Sequence, residues 1–299
     1  TRFYDLVIQV AIIRPGPITG GMVHPFFERR RGREKVTYFD PCLEPILKRT
    51  LGIPLFQEQL LRIAMTAAGF SGGEAEELRR AMGFKRSVER MEAIEARLRS
   101  GMAARGITGV NQDQIVQSIT SFALYGFPES HAASFALIAY ASAYLKCYHP
   151  TAFLIALLNA WPMGFYHPAS LIKDAQRHGV AVLPIDVNFS GWRCLWEELK
   201  SKSAHKENEP SPSSMRAAGA CRIGLRYISG LRRETAERIA TERRAGLFRN
   251  VEELKRRAAL RADELARLSE AGALASLGLT RREALWQAAL AVRPKGELF

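Results

Sequence analysis

The residues of this chain best suited to chemistry are Ser130 and His131, which follow a Gly-Phe-Pro-Glu turn that begins at Gly126. The pattern places both in the first turn of a long, alanine-rich helix that ends near Lys146. A helix start carries unpaired backbone N–H groups and the positive end of the helix dipole, so it suits a phosphate group. A hydroxyl and an imidazole there add two hydrogen-bond donors. The alternative is simple capping, because serine commonly begins helices that bind nothing.

Three basic residues upstream, Arg79, Arg80 and Lys85, supply charge for a triphosphate pocket around Ser130 and His131. The two arginines are adjacent in a predicted helix and point in different directions, so we expect at most one of them to reach any single ligand. The alternative is that all three are surface residues that only increase the solubility of the chain.

A second basic segment, residues 228–239, has the pattern of the second half of a helix-hairpin-helix. In that motif a glycine-containing hairpin offers backbone N–H groups to a DNA phosphate without reading bases. Gly230 permits close approach to the strand, and Arg232 and Arg233 supply charge. A helix start with a solvated basic face explains the same residues equally well. A weaker echo over residues 265–285 makes two units in tandem and favours duplex binding.

The charge of the chain agrees with an anionic partner. Its 299 residues include 43 Lys and Arg against 30 Asp and Glu, a formal charge of +13. The last 84 positions hold 18 basic and 10 acidic residues, and so carry +8 of that excess. Nucleic acid is the commonest partner of such a chain. An apolar content of 47% is enough for two domains with real cores.

Several classes of protein are disfavoured. The four cysteines include no Cys-x-x-Cys pair, so a zinc site or disulfide framework is not indicated and a reducing cytoplasm fits best. No apolar run is long enough for a membrane span, and no signal peptide is visible. Two-metal phosphoryl transfer needs converging carboxylates, and no Asp-x-Asp occurs. We therefore expect neither catalytic residues nor a metal site within this chain.

The elements that would position these residues are mostly helices, and we expect a mainly α fold with a few short strands. Ser71 and Glu74 have the spacing of a capping box. Residues 6–13 suit a buried helix or a strand, and short strands are expected over 180–183 and 222–227. Apolar spacing and Gly or Pro boundaries predict helices over 57–68, 71–82, 86–105, 112–125, 130–148, 151–160 and 168–178.

Several motifs in the same order resemble the bacterial C-family DNA polymerases, the family of the DNA polymerase III α subunit. The motifs that carry this resemblance are Arg14–Pro17, Gln57–Gln59, Leu78–Gly83 and Tyr125–Ser134. Those most similar to the error-prone, damage-inducible branch are Pro128–Phe135, Trp161–Tyr166 and Asp186–Asn188. The resemblance extends over nearly the whole chain.

The resemblance implies a part of a much longer enzyme, and Thr1 in place of Met suggests the same. It implies a trailing palm segment and entry to the fingers over 1–55, a helical fingers domain over 56–190, a strand and flexible loop over 191–220, and a tandem helix-hairpin-helix DNA-binding region over 221–299. The palm aspartates that hold Mg²⁺ would lie upstream.

The resemblance also implies two sets of binding residues. Those expected to line the incoming nucleotide and its triphosphate are Arg79, Arg80, Lys85, Ser130 and His131. Those expected to contact DNA are Arg14, Gly230, Arg232 and Arg233. Replicative members have Asn-Lys before the Ser-His pair, whereas this chain has Pro128-Glu129, which fits the error-prone branch and leaves one cation fewer.

The function implied by the resemblance is template-directed nucleotidyl transfer in translesion synthesis and damage-induced mutagenesis. Primer-template DNA and dNTPs would be the substrates, and a sliding clamp or mutagenesis accessory proteins are candidate partners. We expect the isolated chain not to polymerise, because the palm aspartates lie outside it. Two alternatives stay open: a non-enzymatic helix-hairpin-helix DNA-binding module, and a replicative DNA polymerase III α subunit.

Overall fold

The structure is a computed structural model that describes residues 2–13, 23–83, 88–122, 127–199 and 219–292. The chain divides into two compact units, Thr1–Ala141 and Ser142–Phe299. Nearly all regular structure in the described ranges is helical, and it includes one small three-stranded sheet. The predicted fold class, mainly α with a few short strands, is therefore confirmed. The functional domain limits at residues 55, 190 and 220 stay predictions.

The described part of the first unit contains helices but no strands. The helices are α1 (Phe3–Ile12), α2 (Val23–Arg30), α3 (Glu44–Leu47), α4 (Gln57–Ala68), α5 (Gly72–Gly83), α6 (Val88–Ala103), α7 (Val110–Phe122) and the first turns of α8 (Glu129–Tyr148). The helices predicted over 57–68, 71–82 and 130–148 are confirmed, with ends that shift by at most one residue. Those predicted over 86–105 and 112–125 are confirmed within the described ranges, and residues 86–87 and 123–125 lie outside them. The segment 6–13, for which helix and strand were both open, is helical up to Ile12.

The predicted capping box at the start of α5 is present. The Ser71 N–H donates to the Glu74 carboxylate at 2.7 Å, and the Glu74 N–H donates to the Ser71 hydroxyl at 3.3 Å. Each side chain thus satisfies a backbone N–H that the helix itself cannot pair, which fixes where α5 begins.

Two buried clusters hold the first unit together. One packs Leu60 of α4 against Leu98 of α6 and the neighbouring apolar residues of α7. The other places Ala132 and Ala136 of α8 against α1 and Phe56. Two alanines four residues apart form a flat stripe on one face of α8, so the helix packs closely and its first turns are held in place.

The second unit contains the end of α8, further helices and the sheet. These elements are α9 (Pro150–Ala160), α10 (Pro168–Arg177), β1 (Val182–Leu183), β2 (Leu195–Glu198), β3 (Gly219–Arg222), α11 (Arg233–Glu242), α12 (Val251–Arg257), α13 (Ala262–Glu270) and α14 (Arg281–Val292). The strand order is β1-β3-β2, with β1 parallel and β2 antiparallel to β3. In this register Val182 and Trp196 both lie opposite Cys221.

The strand predicted over residues 222–227 is misplaced. The strand is Gly219–Arg222, and Leu225–Tyr227 form a 3-10 turn instead. A Cβ added at Gly224 would lie 2.5 Å from the Trp192 carbonyl oxygen, so this glycine allows a close approach of two backbone segments that turns the chain out of the sheet. The neighbouring segment that causes this turn is distant in sequence, and local pattern alone does not reveal it.

The last four helices, α11 to α14, share one apolar core. Leu265 and Leu268 of α13 pack with Ala284 and Ala288 of α14, and the four side chains are at most 3% exposed. The two helices therefore form a closely packed pair. Among the described helices, none combines the length and the apolar character that a bilayer span requires.

Candidate nucleotide-binding and duplex-binding sites

The start of α8 borders an open depression of about 640 Å³, lined by Phe127, Pro128, Ser130, His131 and Ser134. Ser130 and His131 are exposed, as the sequence predicts for a pair in the first turn. The His131 imidazole packs edge-on against the rings of Phe127 and Phe135, with centroids 5.1 and 4.6 Å away. The structure thus brings the two predicted donors together and gives the imidazole two aromatic neighbours.

Part of the hydrogen-bonding capacity at this helix start is already used. The Glu58 carboxylate of α4 accepts from the Glu129 N–H at 2.8 Å. The Glu129 carboxylate accepts from the Tyr4 hydroxyl at 2.6 Å, and burial together with this bond raises the pKa of Tyr4. An anion in the depression would therefore depend on Ser130 and His131 rather than on the first N–H of α8.

Sequence reasoning missed the contact between Glu58 and α8. The two partners are 71 residues apart, so no local spacing indicates it. A carboxylate at the positive end of the helix dipole stabilises the helix and also lowers the positive potential there.

Arg79 and Arg80 converge on one carboxylate, that of Glu76. Arg79 makes two hydrogen bonds of 2.7 Å to it, and Arg80 makes one of 3.2 Å. These bonds, chiefly those from Arg79, lower the pKa of Glu76 to about 2. Both arginines reach this carboxylate because residues three and four positions after Glu76 lie beside it on the helix. The expectation that at most one of them reaches a bound ligand stays a prediction.

The basic residues and the depression are not brought together among the described residues. Arg79 and Arg80 do not line the depression at the start of α8. Lys85, the third predicted cation, and Arg14, a predicted DNA contact, lie outside the described residues.

The first predicted hairpin turns at Gly230, whose φ of +83° is in the left-handed region that favours glycine. Helix α11 begins three residues later, at Arg233. The Arg232 guanidinium donates to both oxygens of Glu264, at 2.9 and 3.1 Å. Arg233 is paired with Glu237, one turn along the same helix, at 2.8 Å. Both arginines of this hairpin that were predicted to contact DNA therefore have a carboxylate partner within the protein.

Glu264, in the first turn of α13, is 1% exposed. It accepts hydrogen bonds from the Thr235 hydroxyl at 2.7 Å and the Arg261 N–H at 3.2 Å, besides those from Arg232. Burial raises the pKa of such a carboxyl, but the hydrogen bonds outweigh it and hold the pKa of Glu264 at about 2. Sequence reasoning missed this residue, because its arginine partner is 32 positions away.

The second hairpin repeats the geometry of the first. Gly278 has a φ of +77°, and α14 begins three residues later, at Arg281. Thr280 and Glu283 form a capping box, in which the Thr280 N–H donates to the carboxylate at 2.8 Å and the Glu283 N–H donates to the hydroxyl at 3.3 Å. Arg281 and Arg282 are exposed and form no salt bridge with any described residue.

A polar network centred on the buried side chains of Asp186 and Asn188 joins the second hairpin to the segment that follows β1. The Asp186 carboxylate accepts from the Ser276 N–H at 2.9 Å, from the Ser276 hydroxyl at 2.7 Å and from the Asn188 N–H at 2.8 Å. The Asn188 side chain in turn donates to the Phe248 carbonyl and accepts from the Phe248 N–H, at 3.0 and 2.9 Å. Asp186–Asn188, noted in the sequence only as a motif, thus ties three distant segments together.

Within the described ranges, no three His, Cys, Asp or Glu side chains form a group that could hold a metal ion. The Mg²⁺ that the resemblance implies is therefore assigned no ligand in this part of the chain.

Comparison with protein families matches two parts of the chain. Residues 1–106 match the family model described as the bacterial DNA polymerase III alpha subunit finger domain. Residues 179–284 match the helix-hairpin-helix motif, and this range includes both hairpin glycines.

Curated relatives match the chain over its whole length. An error-prone DNA polymerase of Anaeromyxobacter sp. (strain K) is 52% identical over 298 residues, which are 100% of this chain and 26% of the relative. Error-prone DNA polymerases of Corynebacterium jeikeium and Pseudomonas fluorescens are 50% and 49% identical, over 97% and 99% of this chain and 26% and 28% of the relatives. The chain thus spans about a quarter of the length of these relatives.

Proposed function

The chain belongs to the bacterial DNA polymerase III alpha family, among relatives that are error-prone DNA polymerases, and on this premise we propose that it positions the incoming dNTP and grips duplex DNA for such an enzyme. The proposal rests on the match to the finger and helix-hairpin-helix families, which follow each other in that order along the sequence. It is supported by an identity of 50% with an error-prone DNA polymerase over 97% of the chain. We also propose that the enzyme to which this chain belongs carries out nucleotidyl transfer and acts in lesion bypass and damage-induced mutagenesis.

The reaction proposed for the whole enzyme is attack of a primer 3′-hydroxyl on the α-phosphate of a dNTP, with release of pyrophosphate. Bound Mg²⁺ would neutralise the charge that develops on the phosphate oxygens. The resemblance assigns the metal-binding aspartates to a palm domain rather than to the finger and helix-hairpin-helix regions matched here, so we propose that this chain contributes positioning, and primer extension by the 299-residue chain alone is expected to give no template-directed product.

The proposed place for the triphosphate is the depression at the start of α8. There the Ser130 hydroxyl and the His131 imidazole are exposed donors beside the positive end of the helix dipole. The edge-on contacts with Phe127 and Phe135 restrict the imidazole, so less conformational freedom is lost when it binds an anion. Arg79, Arg80 and Lys85 are proposed as further nucleotide contacts, for which Arg79 and Arg80 would have to exchange Glu76 for phosphate.

The two hairpins are proposed to hold the product duplex by its backbone. Each presents a left-handed glycine followed three residues later by a helix start, which exposes backbone N–H groups to a phosphate. Arg14, Gly230, Arg232 and Arg233 are the contacts proposed from the sequence. The cytoplasm of a bacterium, where its DNA lies, would be the place of action, and a sliding clamp or mutagenesis accessory proteins are proposed partners.

The nucleotide site is tested by the double variant Ser130→Ala and His131→Ala, with dNTP affinity and duplex affinity both measured. We expect at least a tenfold loss of dNTP affinity and little change in duplex affinity. Ser134→Ala is the matched control, because Ser134 lines the same depression while its hydroxyl donates to the Ser130 carbonyl at 3.0 Å. Unchanged dNTP affinity in the double variant contradicts the nucleotide site.

The rival function is a non-enzymatic DNA-binding module, which the helix-hairpin-helix match favours. Under that function the depression binds no dNTP even in the unaltered chain, while duplex binding persists. The same pair of measurements therefore separates the two functions. A replicative α subunit is the other alternative, and the names of the relatives favour the error-prone branch over it.

A further inference from the structure

We propose that Glu264 is a positioning residue of the duplex-binding region, which fixes the first hairpin on α13 so that both hairpins meet the DNA backbone as one rigid unit. This inference rests on the proposed duplex binding and adds the residue that sets how the two hairpins are held. Glu264 itself is not a DNA contact, because its carboxylate is buried and repels phosphate.

The carboxylate joins two elements that are distant in sequence. Arg232 and Thr235 flank the start of α11, immediately after the first hairpin, and both donate to Glu264 at distances of 2.7 to 3.1 Å. At 1% exposure Glu264 has almost no access to water, which makes these bonds hard to replace. The position of the first hairpin is therefore coupled to that of α13.

Helix α13 leads directly into the second hairpin. It packs on α14, the helix after that hairpin, through Leu265 and Leu268 against Ala284 and Ala288. A displacement of the first hairpin relative to α13 is therefore also a displacement relative to the second hairpin. Glu264 is the only described acidic residue that receives hydrogen bonds from the start of α11 and also lies on α13.

A second set of hydrogen bonds also restricts the movement of one hairpin relative to the other. Ser276, two residues before the second hairpin's glycine, is held by Asp186 through two hydrogen bonds. Residues 186–190 also reach the residue that follows β3, because the Ser190 hydroxyl donates to the Ile223 carbonyl at 2.7 Å. Residues 186–190 thus contact the segment that precedes each hairpin, and Glu264 adds the direct link between the first hairpin and α13.

The proposal predicts an effect opposite in sign to simple electrostatics. A carboxylate near DNA repels phosphate, so removal of its charge alone would strengthen binding and steepen the salt dependence. If Glu264 positions the hairpins, Glu264→Gln instead loosens the first hairpin and removes phosphate contacts. The two effects can therefore be told apart by one titration.

The experiment measures duplex affinity of the 299-residue chain against salt concentration, for the unaltered chain and for Glu264→Gln. We expect the slope of log affinity against log salt to become shallower by about one, the loss of one phosphate contact, and the affinity to fall several-fold. Glu237→Gln is the matched control: it removes the same charge from the partner of Arg233, but the pair lies on one exposed helix face. We expect its slope to be unchanged or steeper.

A slope for Glu264→Gln that is equal to or steeper than that of the control overturns the positioning role. Folding of each variant is checked by circular dichroism at the titration temperature. If Glu264→Gln does not fold, Thr235→Val removes one hydrogen bond to Glu264 and keeps its charge, and a slope unchanged from that of the unaltered chain overturns the proposal. Failure of the proposed function has a different signature, since the unaltered chain would then show no salt-dependent duplex binding.

Discussion

The two hairpins have similar sequences and the same backbone geometry, yet they use their side chains differently. In the first, Arg232 and Arg233 are bound to Glu264 and Glu237. In the second, the two arginines that begin α14 form no salt bridge with any described residue. Equal numbers of arginine therefore do not mean equal charge available to DNA.

One position accounts for much of this difference. Two residues after the glycine, the first hairpin has Arg232 and the second has Thr280. Thr280 caps its own helix through Glu283, so its interactions stay local. Arg232 makes no side-chain capping bond and extends to Glu264 on another helix. The residue at this position caps its own helix in the second hairpin and forms a contact with another helix in the first.

The largest expected effect comes from the loss of the hydrogen bonds that Asp186 accepts at the second hairpin. Asp186→Ala leaves the buried N–H of Asn188 without its acceptor and also removes both hydrogen bonds from Ser276, and we expect the free energy of unfolding to fall by about 3 kcal/mol. Urea unfolding measures this. Asp263→Ala, which removes an exposed acid of α13, serves as the control and should change stability by at most about 0.5 kcal/mol. A loss below about 1 kcal/mol in Asp186→Ala contradicts the structural role of the network.

The next effect is a pH dependence at the first hairpin. Because the pKa of Glu264 is about 2 in the folded chain, below its usual value, its stabilisation is complete above about pH 4.5 and is lost as the pH falls toward 2. We expect about 2–3 kcal/mol of acid-dependent stability that Glu264→Gln lacks, measured by urea unfolding at several pH values. Hydrogen bonds from the Thr280 N–H and hydroxyl also lower the pKa of Glu283, but this carboxyl is exposed, so Glu283→Gln should lose less of the acid dependence than Glu264→Gln.

The availability of charge to DNA should differ between the hairpins. We expect the double variant Arg281→Ala and Arg282→Ala to lower duplex affinity by about tenfold or more, with similar losses across DNA sequences, because exposed arginines that form no salt bridge with the described residues can contact phosphate. Arg233→Ala should flatten the salt slope by about one. Arg232→Ala should flatten the slope by a similar amount and also lower stability, because Arg232 is bonded to Glu264 as well. Sequence-selective losses in a fluorescence-anisotropy titration contradict backbone contact.

The smallest effect concerns the hairpin glycines, where the two hairpins should behave alike. Alanine at Gly230 or Gly278 must adopt a left-handed conformation, and an added Cβ meets only ordinary contacts at Gly230 and nothing within 4 Å at Gly278. We expect each substitution to reduce stability by about 1 kcal/mol in thermal unfolding. A much larger loss at one position would show that the two turns are not equivalent.

The positions of most helices in the first unit could be predicted because their signals are local. The apolar spacing of 57–68 and the Ser71–Glu74 box are each contained within a few residues, and both are present as expected. The strand near residue 222 was misplaced, because a close approach between Gly224 and Trp192 decides where the chain leaves the sheet.

The candidate sites were only partly predictable. The presence of Ser130 and His131 together at a helix start followed from the turn and the alanine-rich pattern. The engagement of that helix start by Glu58 did not, nor did the convergence of both arginines of α5 on Glu76. The missed contacts all involve carboxylates, because the partner of an acidic residue on a helix is defined only once the chain has folded.

The pattern of residues was enough to predict most helices before residue 180, the Ser71–Glu74 cap, the hairpin glycine Gly230 and the excess of positive charge, because each depends on residues within about one helical turn or on composition alone. Which of the charged side chains form ion pairs is set by the folded chain. Ion pairing and burial depend on contacts such as Arg232 with Glu264 and Asp186 with Ser276, whose partners are 32 and 90 residues apart. Such contacts form only when packing of the apolar faces brings the distant segments together.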